Sequence, residues 1–84
     1  MILTVECRDG NTPRAEVEIY CDSDGLGKLI KHLEWLRDVP PQKDDHLHFM
    51  TPSWAGDELT EDPMGRDTAL VNHLRITLLP ATSD

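Results

Sequence analysis

The sequence predicts an α+β fold. It reads as a two-layer β-β-α-β-β domain in which one helix packs on one face of a four-stranded, mainly antiparallel sheet. Three observations predict it. Segments 2–7 and 15–21 alternate apolar and polar residues with period two, which is the sign of half-buried strands. Residues 24–38 carry apolar side chains at the spacing of a single helical stripe. The chain has 84 residues, 38% of them hydrophobic. That is enough for one sheet face and one helix, so 1–84 reads as a single domain with a thin core.

The first strand, ILTVEC, places Leu3, Val5 and Cys7 on one face. The second, AEVEIYC, sets Val17 and Ile19 on one face and Glu16, Glu18 and Tyr20 on the other. Between them RDGNTP is a turn by composition. Ser23 or Asp24 caps the helix that follows. Leu26, Leu29, Ile30, Leu33 and Leu36 form its buried stripe, while Trp35 falls about 180° from Leu26 and faces solvent or is covered by the long loop. Lys31 stands one turn before Trp35, within reach of its ring. Pro40 and Pro41 end the helix. HLHFM, 46–50, is a third strand with Leu47 and Phe49 inward and His46 and His48 outward. A long loop spans 51–67. ALVNHLRITLLP, 69–80, makes the fourth strand, with Asn72, Leu74, Ile76 and Leu78 on one face and His73, Arg75 and Thr77 on the other. The tail, 81–84, frays. The sheet face away from the helix then carries Thr4, Glu6, Glu16, Glu18, Tyr20, the three histidines, Arg75 and Thr77. It is expected to be open and polar. The strand order is left undetermined.

Composition narrows the function. Sixteen acids against eight bases give a net charge of −8. Nucleic acid is excluded as a partner, since phosphates need a basic footprint; a basic protein is favoured. No apolar run reaches the ~18 residues of a membrane span, and MILTVECRDG does not read as a signal peptide. The cytoplasm is the default location. Cys7 and Cys21 fall about 20 Å apart along the hairpin ladder, too far for a disulfide, so both are expected as free thiols.

Three constellations carry chemistry. His46, His48 and His73 sit on one sheet face and make a candidate zinc site, although Arg75 projects beside them and opposes a cation. The same histidines are candidate general bases. Their only nucleophiles are the cysteines and Ser53, which lies outside any strained Gly-x-Ser-x-Gly turn. No glycine loop for phosphate is present. The chain is therefore not expected to be an enzyme, and no cofactor is implied. The third constellation is the loop, where Asp57, Glu58, Glu61, Asp62 and Asp67 face a single base, Arg66. Trp54 stands at its head. A tryptophan beside charges is the composition of an interface anchor, with Trp35 as a further exposed indole.

DHLHFMTPSWAGDELTE, followed by LVNHLRITLLP and preceded by DSDGLGKLIKHLE, resembles the Imm32 group of bacterial immunity proteins of polymorphic toxin systems. The likeness runs from about residue 16 to 80. Its most specific part is His46, His48, Met50, Thr51, Pro52, Trp54, Gly56, Glu58 and Leu59, together with Asn72, His73, Leu74 and Arg75. Many members carry a second glycine where Ala55 stands here. The resemblance implies a small α+β protein that binds and neutralises a toxin encoded beside it, with no catalysis of its own. Trp54, Asp57, Glu58 and Glu61, with Trp35, are the expected contacts to a basic toxin. The rival reading is a small zinc-type domain on His46, His48 and His73. Edge strands also allow a homodimer.

Overall fold

The structure, a computed structural model, describes residues 1–8, 16–40 and 45–79. The expected turn over 9–13, Pro41 and the tail over 81–84 lie outside these. In chain order the elements are β1 (Leu3–Arg8), β2 (Glu16–Cys21), α1 (Ser23–Asp38), β3 (His46–Met50), a 3₁₀ turn (Pro52–Trp54), β4 (Thr68–Leu70) and β5 (His73–Thr77). The fold is α+β, with one helix and five strands among the described residues.

Two antiparallel sheets replace the single four-stranded sheet expected. One has the order β2-β1-β4, and the other pairs β3 with β5. The expected last strand breaks in two at Val71 and Asn72. The Val71 N–H donates to the Val5 carbonyl at 2.7 Å, and the Thr51 N–H donates to the Asn72 carbonyl at 3.1 Å. The Thr51 hydroxyl bonds the Asn72 side-chain oxygen at 2.8 Å. The chain thus leaves the edge of β1 and joins β3 within two residues. Alternation continues through the break, which is why the pattern conceals it.

A second seam joins the sheets. The Leu59 N–H donates to Met50 in β3, and the Thr60 N–H donates to Leu3 in β1 at 2.7 Å. The Leu3 N–H returns a bond to the Thr60 hydroxyl at 2.9 Å. Leu59 itself is buried. With Leu3, Val5 and Phe49 it forms the core, against which Leu29, Leu47, Val71, Leu74 and Ile76 pack. A residue read as loop is therefore one of the main apolar residues of the core.

The helix starts at Ser23, so neither Ser23 nor Asp24 is its cap. Asp22 is the cap, accepting the Gly25 N–H at 2.7 Å. A Cβ on Gly25 would lie 1.8 Å from the Ile2 carbonyl oxygen. Only glycine permits this approach, and it sets the helix's rotation. Gly25, Leu29, His32 and Leu36 turn inward; the His32 ring meets Phe49 edge-on at 5.2 Å. Leu26, Ile30 and Leu33, expected in the buried stripe, are instead 46, 46 and 40% exposed. Trp35 is exposed, in the direction the wheel predicts.

The sheet faces also differ from expectation. Thr4 and Glu6, placed on the open polar face, have no exposed surface, because the segment over 60–68 lies across them. Val17 and Ile19 point to the helix side yet are exposed, as is Cys21. Both cysteines are free thiols. Leu3 pairs with Cys21 and Cys7 with Val17, which separates the two sulfurs by four ladder steps, about 13 Å.

Candidate functional site: the loop over 51–67

The loop that joins β3 to β4 is held by its own acids. Thr51 is buried at its root, and its carbonyl accepts the N–H groups of Trp54 at 2.9 Å and Gly56 at 3.0 Å. Ala55 takes the left-handed φ of 66° that ends the 3₁₀ turn. A Cβ on Gly56 would lie 2.5 Å from the Met50 Cβ, so the loop lies tight against the end of β3.

Glu58 Oε1 then accepts the Met50 N–H at 3.0 Å, and Glu61 Oε1 accepts the Ser53 N–H. Desolvation pushes the Glu58 carboxyl up, but bonds from Met50 and Asp57 outweigh it and hold it below the usual carboxylate range. Ser53 lowers Glu61 in the same way. Both acids are partly buried and occupied inside the loop.

The far half of the loop is tied down by Glu6. Its Oε2 accepts the Thr4 hydroxyl at 2.6 Å and the Met64 N–H at 2.8 Å. Its Oε1 accepts the Gly65 N–H at 3.0 Å and the Thr68 hydroxyl at 2.5 Å. Burial alone raises a carboxyl's pKa; here four donors reverse that and lower it to about 2. Beside it, Arg8 bonds Glu18 at 2.9 Å and Tyr20 at 3.0 Å, and the Tyr20 hydroxyl donates to Glu18 at 2.8 Å. Glu6 is the anchor of the loop that the sequence pattern did not reveal. Its only signal was an acid amid the apolar residues of β1, two after a threonine that is its partner.

This scaffold divides the expected contact residues. Trp54 is 55% exposed and lies 6.2 Å, ring to ring, from His73. The Asp57 side chain is exposed, while its backbone carbonyl accepts Lys28 Nζ of α1 at 2.9 Å. Glu58 and Glu61 support the loop rather than project from it. Trp35 is not part of the loop and stands on α1 at 56% exposure.

The three histidines do meet. The pairing of β3 with β5 puts Met50 opposite His73 and His48 opposite Arg75. The His46 and His48 rings are edge to face at 4.7 Å, and His48 stacks on His73 at 4.9 Å. His48 Nδ1 lies 2.7 Å from His73 Nε2. That is a hydrogen bond, whereas two ligands of one tetrahedral zinc lie about 3.3 Å apart. Among the described residues no group of three or more His, Cys, Asp or Glu side chains is arranged to hold a metal ion. Desolvation, then the positive charges of His46, His73 and Arg75, push the His48 imidazole below its ordinary value.

No helix among the described residues is long and apolar enough to cross a membrane. No curated protein and no solved structure matches the chain. The family model described as immunity protein 32 matches residues 16–74.

Proposed function

Because this chain belongs to the immunity protein 32 family, we propose that it binds and neutralises a cognate bacterial toxin, with Trp54 and Asp57 of the loop as contacts. The observation that carries this reading is Trp54. The backbone around it is fixed by bonds at Thr51, Glu58 and Glu61, yet more than half of the indole is in water. A rigid, exposed tryptophan gives affinity at small ordering cost, because little freedom remains to be lost on binding. Asp57, three residues on, is exposed, as are Asp62 and Asp67 further along the same loop. A basic toxin surface complements that charge, and the net charge of −8 steers its approach. Trp35 serves as an outlying contact. The protein acts by occupation in the bacterial cytoplasm, with no catalysis and no cofactor.

The test is binding of the purified chain to the toxin encoded beside its gene, followed by calorimetry. Trp54→Ala should weaken binding by about 2 kcal/mol or more without moving the melting temperature. Asp57→Lys should weaken it further at low salt than at high salt. A chelator should change nothing. Equal affinity of the wild type and Trp54→Ala would remove the loop from the interface. Charge reversal at Glu58 is a poor test, because its carboxylate holds Met50.

A further inference from the structure

The edge of the first sheet presents a second surface. Among the described residues β2 pairs only with β1, so its other edge is free. Its six-residue register, from Leu3 with Cys21 to Arg8 with Glu16, runs without a bulge. It contains no proline and no lysine. Of the devices that normally blunt a free edge, β2 lacks the bulge, the proline and the lysine, and carries only the charges of Glu16 and Glu18. On the helix side β2 exposes Val17 at 61% and Ile19 at 43%.

The helix extends this patch. His32 contacts Phe49 of β3, and Lys28 reaches the loop that follows β3. That flank of α1 therefore faces the second sheet. Leu26, Ile30 and Leu33 lie on the opposite flank, by 100° per residue, which is the side of β2. Five exposed apolar side chains thus border one unpaired strand edge. Exposed apolar side chains gathered on one side of a fold mark an interaction site.

Charge decides the occupant. Glu16 and Glu18 alternate with Val17 and Ile19 and project from the other face of β2. Arg8 pairs with Glu18 and bonds Tyr20, and it lies across the ladder from Glu16, which is exposed; one base thus stands against two acids. A second copy would bring its own acids against these, on a chain already at −8. We infer that the free edge of β2, with the apolar flank of α1, takes an extended segment of a partner protein that alternates apolar residues with lysine or arginine. The segment adds a strand to β2 through main-chain bonds. Its apolar side chains lie against Val17, Ile19 and Ile30, and its bases meet Glu16 and Glu18. The partner's identity as the toxin rests on the function proposed above; the chemistry of the strand does not.

The probe is a capped eight-residue peptide alternating valine and lysine, titrated into the full chain and followed by amide NMR shifts. A peptide of the same composition with its valines and lysines in separate blocks is the control. Shifts confined to β2 and the Leu26–Leu33 flank, absent with the block peptide, are expected. Val17→Lys with Ile30→Lys, both at exposed positions, should keep the far-ultraviolet spectrum and weaken the peptide about tenfold or more, about 1.4 kcal/mol. Shifts elsewhere, or none, would overturn the inference. So would a wild-type dimer in light scattering that the double variant abolishes, which would assign the edge to a second copy. Toxin bound equally by the wild type and the double variant would overturn the edge as the toxin's seat while leaving the immunity reading intact. Toxin bound by neither, with the peptide still seated on β2, would overturn only the immunity reading.

Discussion

Glu6→Gln tests how the loop is anchored. Each carboxylate oxygen of Glu6 accepts one hydroxyl and one backbone N–H. In glutamine one oxygen becomes an NH₂ group. The hydroxyl facing it can rotate and accept, but the N–H of Met64 or Gly65 cannot. One buried donor is then stranded, and three charge-assisted bonds become neutral. A stranded donor costs about 1–3 kcal/mol. The titration gives a second route to the magnitude. A carboxyl held at about 2 instead of an ordinary 4.5 contributes about 3 kcal/mol at 1.36 kcal/mol per pH unit. The two routes agree. The sign follows from the lowered value: this stability is complete above about pH 4.5 and is lost as pH falls towards 2. Urea unfolding of the wild type and Glu6→Gln should therefore differ by about 3 kcal/mol at pH 7 and converge below pH 3. Equal stabilities at pH 7, or a gap that does not shrink in acid, would refute the anchor.

Other outcomes follow from the same geometry. Gly25→Ala should destabilise by about 3 kcal/mol, since its Cβ meets the Ile2 carbonyl. Gly27→Ala, with nothing within 4 Å, should stabilise by about 1 kcal/mol; thermal melts of the pair isolate the contact from helix propensity. Ala55→Gly should stabilise by about 1 kcal/mol, because the φ of 66° there suits glycine. His48 has a lowered pKa, so its contribution is complete above 6.5 and lost as pH falls below it. An NMR titration should find His48 protonating below 6.5, and His48→Gln should flatten the acid side of the stability profile.

Much of this was legible in the residues. Period-two alternation located β1, β2 and β3, and the helix ends just before Pro40. The wheel placed Trp35 outward. The histidine strand was found by its alternation. What escaped depended on contacts distant in sequence. Leu26, Ile30 and Leu33 share a stripe with Leu29 and Leu36, but the approach of Gly25 to Ile2 turns that stripe partly into water. Glu6 read as an acid of the open face because three of its four donors lie 58 and more residues away. That Glu58 and Glu61 each accept a backbone N–H eight residues away was not legible, because composition does not reveal which acids bond within a loop. The break at Val71 and Asn72 needed Thr51, which the local pattern does not include.

The Leu59–Thr60 and Val71–Asn72 seams also set the order in which the molecule can form. The N-terminal half of β1 gains its second neighbour only from Thr60 and Val71, and its Leu3–Thr60 bond spans 57 residues. A chain emerging from the ribosome at residue 50 holds one hairpin and one helix, with Leu3, Val5 and Phe49 uncovered. Closing such long loops before any contact rewards them makes folding slow. An intermediate of this kind exposes apolar surface to proteases and to other chains. The complete fold should therefore appear late in synthesis and all at once. A chain stopped before residue 60 should be degraded rather than partly folded.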